Sequence, residues 1–190
     1  MQAIVFDFFG VICSEITPFV LPRYMSAEAA VAYKASVVER ADLGEIGLAE
    51  VLDHLSNLTG AAPAALEAEF WGCVKIDPDV VALIEQLKTR YKTALLSNAM
   101  RPFLRQILEK HDLPRLFDTM VISCDEHLTK PDPAIYRLMT SRLGFDPAQC
   151  FFTDDNPVNV SAARGIGMQA TQFTGVEALK RDLAAAGVVL

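Results

Sequence analysis

Asp7 stands at the end of an apolar run, residues 3–6, and Ser97-Asn98 stand at the end of another, residues 93–96. Thr153-Asp154-Asp155 close a third run, 150–152, and Lys130-Pro131 lie downstream of a fourth, 120–122, which ends at Ser123. Two carboxylate positions with room for water suit Mg²⁺, a hard cation that takes one or two protein carboxylates together with waters and phosphate oxygens. Asp7 and the Asp154-Asp155 pair could share such an ion, with Ser97 adding a hydroxyl and Lys130 a cation. A carboxylate nucleophile, a metal, a lysine and a hydroxyl make a phosphoryl-transfer site. The carboxylate attacks phosphorus and becomes an aspartyl-phosphate, while metal and lysine neutralise the phosphoryl oxygens. Taken singly, each residue has a plain structural use. Asp7 could cap a turn, Lys130-Pro131 could be a surface turn, and one acid of Asp154-Asp155 could cap the next helix against its dipole. Those uses do not account for all four groups in this order at the ends of successive strands.

The elements that must position these residues follow from the hydrophobic pattern. Apolar runs without polar alternation suit strands buried on both faces of a parallel sheet. Helical periodicity fills the gaps over 79–90, 102–111, 133–143 and, shorter, 156–165, with Pro78, Pro102 and Pro133 where helices start. A fifth strand is expected over 168–173 and a closing helix over 176–186. The alternation predicts an α/β fold with an open, doubly wound parallel sheet. Such sheets bind ligands outside the carboxyl ends of their strands, which is where the polar groups fall. Residues 14–76 break the pattern, because they contain no convincing strand. Helices are expected there over 26–40, with Ser26 as N-cap, over 47–58 and over 63–71. Roughly sixty residues of helix is too long for one crossover. The chain therefore divides into a core of residues 1–13 and 77–190 and an inserted helical subdomain of residues 14–76.

Composition narrows the function classes. The 190 residues suffice for one core with a modest insertion. A net charge of −7 with no basic stripe argues against nucleic acid. No apolar stretch reaches membrane-spanning length, and the first run has neither a basic flank before it nor a small-residue cleavage site after it, so it reads as a strand and not a signal peptide. Cys13, Cys73, Cys124 and Cys150 share no CxxC spacing. They read as free thiols of a reducing compartment, and a cytoplasmic location is expected.

At this point the residues resemble the haloacid dehalogenase-like hydrolases. Phe6-Asp7-Phe8-Phe9-Gly10-Val11 is similar to the family's first motif, an Asp ending the first strand before a tight turn. Leu95-Leu96-Ser97-Asn98 matches the second motif, and Thr129-Lys130-Pro131-Asp132-Pro133-Ala134-Ile135-Tyr136 the lysine motif of members with a helical cap. Phe152-Thr153-Asp154-Asp155-Asn156, followed by Gly165-Ile166-Gly167-Met168, matches the fourth, and Leu43-Gly44-Glu45-Ile46 looks like a segment common in such caps. The resemblance covers nearly the whole chain. It implies a Rossmann-like core with an all-helical cap over the active site. It implies Asp7 as nucleophile and Mg²⁺ ligand, Asp155 and the Phe9 carbonyl as further ligands, and Asp154 as a ligand through water or a support behind the first ligands. Ser97 and Asn98 would orient the phosphoryl group, Lys130 would hold nucleophile and substrate charge together, and amides after Asp7, at Phe9 and Gly10, would cradle the anion. The partner implied is a small phosphorylated or other anionic substrate.

One position departs from the pattern. Phosphatases of the family usually carry a second Asp two residues after the nucleophile, which protonates the leaving alkoxide and then activates water. Phe9 stands there. General acid–base catalysis is typically worth about 10²–10⁴-fold, so its loss should hurt poor leaving groups such as sugar alcohols more than aryl or acyl phosphates. No other residue of the turn can substitute, and His54, His111 and His127 are not placed near the site by sequence. Three readings follow. The first is a Mg²⁺-dependent phosphatase with an altered acid–base position, favoured by the retention of both Asp154 and Asp155. The second is a metal-independent 2-haloacid dehalogenase forming an ester on Asp7. Phe9 fits it, Asp154-Asp155 do not, and Arg23 or Arg40 would have to meet the halide. The third is a protein that binds a phosphoryl ligand without turnover.

Overall fold

The computed structural model describes residues 1–190. Five strands, β1 (Ala3–Phe6), β2 (Lys92–Ser97), β3 (Thr119–Ile122), β4 (Cys150–Asp154) and β5 (Gln169–Gln172), form one sheet in the order β3-β2-β1-β4-β5. All four pairings are parallel. The chain winds outward from β1 to β3, then returns to the other side of β1 with β4. The strand order therefore reverses between β1 and β4, and such a switch point leaves a crevice at the carboxyl edge. Asp7 follows β1 there and Asp154-Asp155 end β4 there.

Strand β1 is buried at every residue, and its pleat feeds two separate cores. Ile4 and Phe6 join the apolar cluster on one face, with helices Pro78–Lys88, Phe103–Lys110 and Val176–Ala185. Ala3 and Val5 join the other, with helices Pro133–Leu143 and Pro157–Gly165. Helices on both faces explain why the strands read as continuous apolar runs. The expected α/β architecture is the one observed.

Between β1 and β2 the chain forms helices joined by turns, with no strand. Thr17–Val20 and the short 3₁₀ turn Leu21–Arg23 lead into a long helical stretch, and Leu48–Thr59 and Pro63–Cys73 follow. Ser26 caps the long stretch as expected, accepting from the Ala29 N–H at 3.2 Å. That stretch differs from the single helix predicted over 26–40. It runs as Ala27–Tyr33, a wide π turn at Lys34–Val38, then Glu39–Asp42. Such insertions in a helix often mark functional positions, and Lys34, Ala35 and Val38 of this turn line the cavity described below. Val37, Leu55 and Phe70 of the insertion belong to the same continuous core as Phe6 and Leu95 of the sheet.

The insertion is held at two places. At its ends, the Ser14 N–H donates to the Lys75 carbonyl (3.0 Å) and the Asp77 N–H to the Ile12 carbonyl (2.9 Å), so Cys13 and Ile76 lie side by side. At the far edge, the Ser123 hydroxyl donates to the Asp42 carbonyl (2.6 Å), the Leu48 N–H to the Arg101 carbonyl (2.8 Å), and His127 Nδ1 meets the Leu43 carbonyl at 2.8 Å. Gly44 sits between these contacts with a φ of +75°. No helix is long and apolar enough to cross a membrane.

Candidate active site

The turn after β1 is built around the Phe8 carbonyl, which accepts from the N–H groups of Val11, Ile12 and Cys13 at 3.3, 2.8 and 2.9 Å. The Phe8 N–H donates to Asp7 Oδ1 at 2.7 Å and fixes the carboxylate. Gly10, expected to offer its amide to an anion, instead donates it to the Cys13 carbonyl at 2.7 Å. The contribution of Gly10 is steric. At φ +82° its missing side chain leaves room for Asp155, whose Oδ2 would lie 2.6 Å from any Cβ. The Phe9 N–H has no intramolecular partner and is the amide this turn leaves free. The Phe9 ring meets Phe8 edge-on at 5.0 Å and lines the cavity.

Lys130 brings the motifs together. Its side chain is 1% exposed, and its ammonium lies 2.6 Å from Asp7 Oδ1 and 2.7 Å from Asp154 Oδ2. Its main chain is held by Asn98 in both directions. Asn98 Nδ2 donates to the Lys130 carbonyl (2.9 Å), and the Lys130 N–H donates to Asn98 Oδ1 (2.8 Å). The Asn98 amide thus grips Lys130, where a contact to substrate was expected. Ser97 is fully buried at the end of β2, its hydroxyl has only a long contact of 3.4 Å to the Asn98 carbonyl, and it is not part of the cavity wall.

The two acids of the fourth motif have different surroundings. Asp154 is fully buried and accepts from Lys130, from the Asn156 N–H (2.8 Å) and from Asn159 Nδ2 (3.1 and 3.0 Å). Asp155 is half-buried and its carboxylate has no hydrogen-bond partner. Neither acid caps the following helix. Asn156 does, accepting from the Val158 N–H at 2.9 Å. Asn159, one turn further on, is a supporting residue that sequence reasoning missed. Its only signal is an inward position on an otherwise apolar helix face.

Carboxylate oxygens of Asp7, Asp154 and Asp155 lie within 4.8 Å of one another. Burial pushes Asp7 up strongly, and the charge of Asp154 adds to this against the pull of Lys130 and the Phe8 N–H. Burial also raises Asp155, with Asp154 again contributing. Lys130 is held above its ordinary value by Asp7 and Asp154, which overcome its own desolvation. Three carboxylates facing one ammonium leave two negative charges without a counter-charge. Together with the space that Gly10 leaves beside Asp155, this donor set can hold a divalent cation.

These groups open into a cavity of about 520 Å³ between the sheet edge and the insertion. Ile16, Val38, Met100, Phe70 and Phe103 form an apolar wall. Glu15, Lys34 and Asp42 add charge from the insertion side. Arg23 and Arg40 do not reach it. They pair with Glu69 (3.2 Å) and Glu45 (3.0 Å) on the surface. Burial raises Asp42 to about 7, against the pull of Lys34 and Lys130. Its ordinary value is near 4. Between those values the folded state binds more protons than the unfolded chain, so this carboxyl's contribution to stability falls as pH rises from about 4 to about 7 and stays lost above. Asp42→Asn should therefore melt above the wild type at pH 8, by roughly 2–3 kcal/mol of stability after allowing for solvent in the cavity. The two should melt together at pH 4. Thermal denaturation followed by circular dichroism at the two pH values measures the difference.

A family model for haloacid dehalogenase-like hydrolases matches residues 1–167. The chain belongs to this family. It is 25% identical over 177 residues to a sesquiterpene phosphatase of Aspergillus oryzae, covering 91% of this chain and 90% of that protein. It is 31% identical over 97 residues to (S)-2-haloacid dehalogenase 4A of Burkholderia cepacia, covering 50% of this chain and 42% of the dehalogenase. Among solved structures it is similar to a haloacid dehalogenase family enzyme of Bacteroides thetaiotaomicron in complex with magnesium and inorganic phosphate. The TM-score there is 0.75 at 20% identity, over 90% of this chain and 93% of that one. A haloacid dehalogenase-like hydrolase of this architecture places its four motifs around one crevice, and Asp7, Asp154, Asp155, Lys130 and Asn98 meet there.

Proposed function

We propose that this hydrolase is a Mg²⁺-dependent phosphatase acting on a small phosphate ester through an aspartyl-phosphate on Asp7. The observation that carries this reading is the cluster of three carboxylates around a single buried ammonium, which suits a divalent cation and, beside it, a dianionic phosphoryl group. Asp7 is the nucleophile. Its carboxylate is oriented by the Phe8 N–H and by Lys130, so attack needs no rearrangement of the turn. Lys130 also faces the phosphoryl oxygens, and its position depends on Asn98 and Asp154, which act as positioning residues. The Phe9 N–H is the backbone donor for the anion, and buried Ser97 lies behind the cavity wall. Mg²⁺ held by Asp7, Asp155 and the Phe9 carbonyl, with Asp154 behind through water, would supply positive charge to the transferring group. Residues 14–76 serve as the cap, and their apolar wall receives the organic part of the ester.

The test is phosphate release from an aryl phosphate with and without Mg²⁺. Release should require the metal, and Asp7→Asn should reduce it to the uncatalysed rate. The second reading, 2-haloacid dehalogenation, draws on Phe9, since displacement of halide by Asp7 needs no proton donor. The surface pairing of Arg23 and Arg40 leaves it without the arginine halide partner that reading requires. Metal-independent chloride release from a 2-chloro acid, with no phosphate release, would replace the first reading by the second. Binding of inorganic phosphate with neither activity would favour a non-catalytic binding protein.

A further inference from the structure

The turn after Asp7 contains no proton donor, yet an alkyl phosphate cannot expel its alkoxide readily without one. The titratable groups of residues 14–76 that line the cavity with Asp7 are Glu15, Lys34, Glu39 and Asp42, of which Glu39 is exposed. Lys34 is exposed at the cavity mouth. Burial and the negative charge of Asp155 raise Glu15, which makes it the rival candidate. Asp42 differs from these in its main chain, which is fixed: Ser123 Oγ donates to its carbonyl and itself accepts from the Ala99 N–H at 3.0 Å. Ala99 lies two residues beyond Ser97, so the end of the insertion helix is tied directly to the loop that carries the second motif. Resting on the phosphatase reading, we propose that Asp42 is the general acid and base of the reaction, delivered from the insertion in place of the position that Phe9 occupies.

As the Asp7 carboxylate forms its bond to phosphorus and the ester P–O bond breaks, the Asp42 carboxyl gives its proton to the leaving oxygen, releasing the alcohol. The Asp42 carboxylate then takes a proton from water as the water oxygen attacks phosphorus. The P–O bond to Asp7 breaks, which returns Asp7 as carboxylate, Asp42 as carboxyl and inorganic phosphate. The groups facing Asp42 are Lys34 and Glu39 on its own helical stretch, Glu15 after the catalytic turn, and Lys130 from the core. Asp125 and Glu126 belong to the short helix packed below and are paired with Arg105 and Arg142. The upward push of burial on Asp42 keeps a usable proton on it near neutral pH.

The experiment compares kcat/KM for an alkyl phosphate and for p-nitrophenyl phosphate across pH 5–9, with Mg²⁺, in the wild type, Asp42→Asn and Glu15→Gln. The nitrophenolate leaves without a proton. Asp42→Asn should therefore lose about 10²-fold more on the alkyl ester than on the aryl ester. The wild-type alkyl profile should fall above about pH 7, and that limb should vanish in Asp42→Asn. Adding Phe9→Asp to Asp42→Asn should restore part of the alkyl activity. The unaltered or higher melting point expected for Asp42→Asn at pH 8 excludes unfolding as the cause. Equal losses on the two esters, or the selective loss appearing in Glu15→Gln instead, would overturn the proposal while leaving the phosphatase reading intact. Absence of Mg²⁺-dependent release from either ester in the wild type would remove that reading, and the proposal with it.

Discussion

Replacing Lys130 by methionine should destabilise the fold by about 3–5 kcal/mol, the usual result of removing one partner from a buried ion pair. Methionine fills much of the space of the lysine stem, so the loss is electrostatic. Asp7 and Asp154 would remain in the crevice with hydrogen bonds from Phe8, Asn156 and Asn159 but no opposing charge. The sign of the pH dependence follows. Asp7 is already raised by burial, and Lys130 is the main influence holding it down. Without the ammonium it binds its proton more tightly when folded than when unfolded, so the variant loses stability as pH rises above the ordinary carboxylate range. The gap in melting temperature between wild type and Lys130→Met should be wide at pH 8 and narrow at pH 5. A gap of the same size at both would mean that these carboxylates are solvated, contrary to the burial of Asp154.

Gly44→Ala is expected to detach the insertion from the core. At φ +75° any L side chain is strained by about 1–2 kcal/mol. Here the added Cβ would also collide with the Cys124 carbonyl oxygen and lie 2.6 Å from Arg101 Nη2. The carbonyl is backbone and cannot swing aside. The contacts that depend on this approach are those of Ser123 to Asp42, Arg101 to Leu48 and His127 to Leu43. Gly60 provides the control. Its φ is +74°, almost the same, and a Cβ there would meet nothing within 4 Å. Gly60→Ala should lower the melting temperature by a few degrees and leave turnover unchanged, at the scale of left-handed strain alone. Gly44→Ala should lower it further and reduce kcat/KM at least tenfold. Equal effects from the two substitutions would show that the contact at Cys124 does not hold the insertion in place.

The sheet and the four motifs were legible because both depend on short-range pattern. Buried parallel strands read as apolar runs, and β1 to β5 all fell within a residue or two of their expected positions. Asp7, Lys130, Asp154 and Asp155 were legible because charged residues at the ends of such runs are out of place unless they meet. What remained illegible depends on tertiary approach. Asn98 looked like a ligand for phosphate, but nothing in the sequence says that the Lys130 main chain folds back onto it. Asn156 took the helix cap because Asp154 was already engaged with Lys130. The π turn at Lys34–Val38 has no local signature in an alanine-rich helix, although it sets which residues face the cavity. Asp42 reads as an ordinary charged residue near a helix end, because its tie to Ser123 joins parts of the chain 81 residues apart.

The adjacency of Cys13 and Ile76 has a consequence for how this chain can change. The helical segment leaves and re-enters the core at two neighbouring points, joined by main-chain hydrogen bonds and by the Ser14 hydroxyl, which donates to the Cys73 carbonyl and accepts from the Lys75 N–H. Closing a longer or shorter loop across a fixed gap changes the entropy only logarithmically with its length, about 0.6 kcal/mol per doubling. Chain closure therefore constrains the length of the segment weakly, and packing constrains its sequence, since Val37, Leu55 and Phe70 share one core with Phe6 and Leu95. Replacing the segment would keep Asp7, Lys130, Asp154 and Asp155 and would remove Lys34, Val38, Asp42 and Phe70 from the cavity lining.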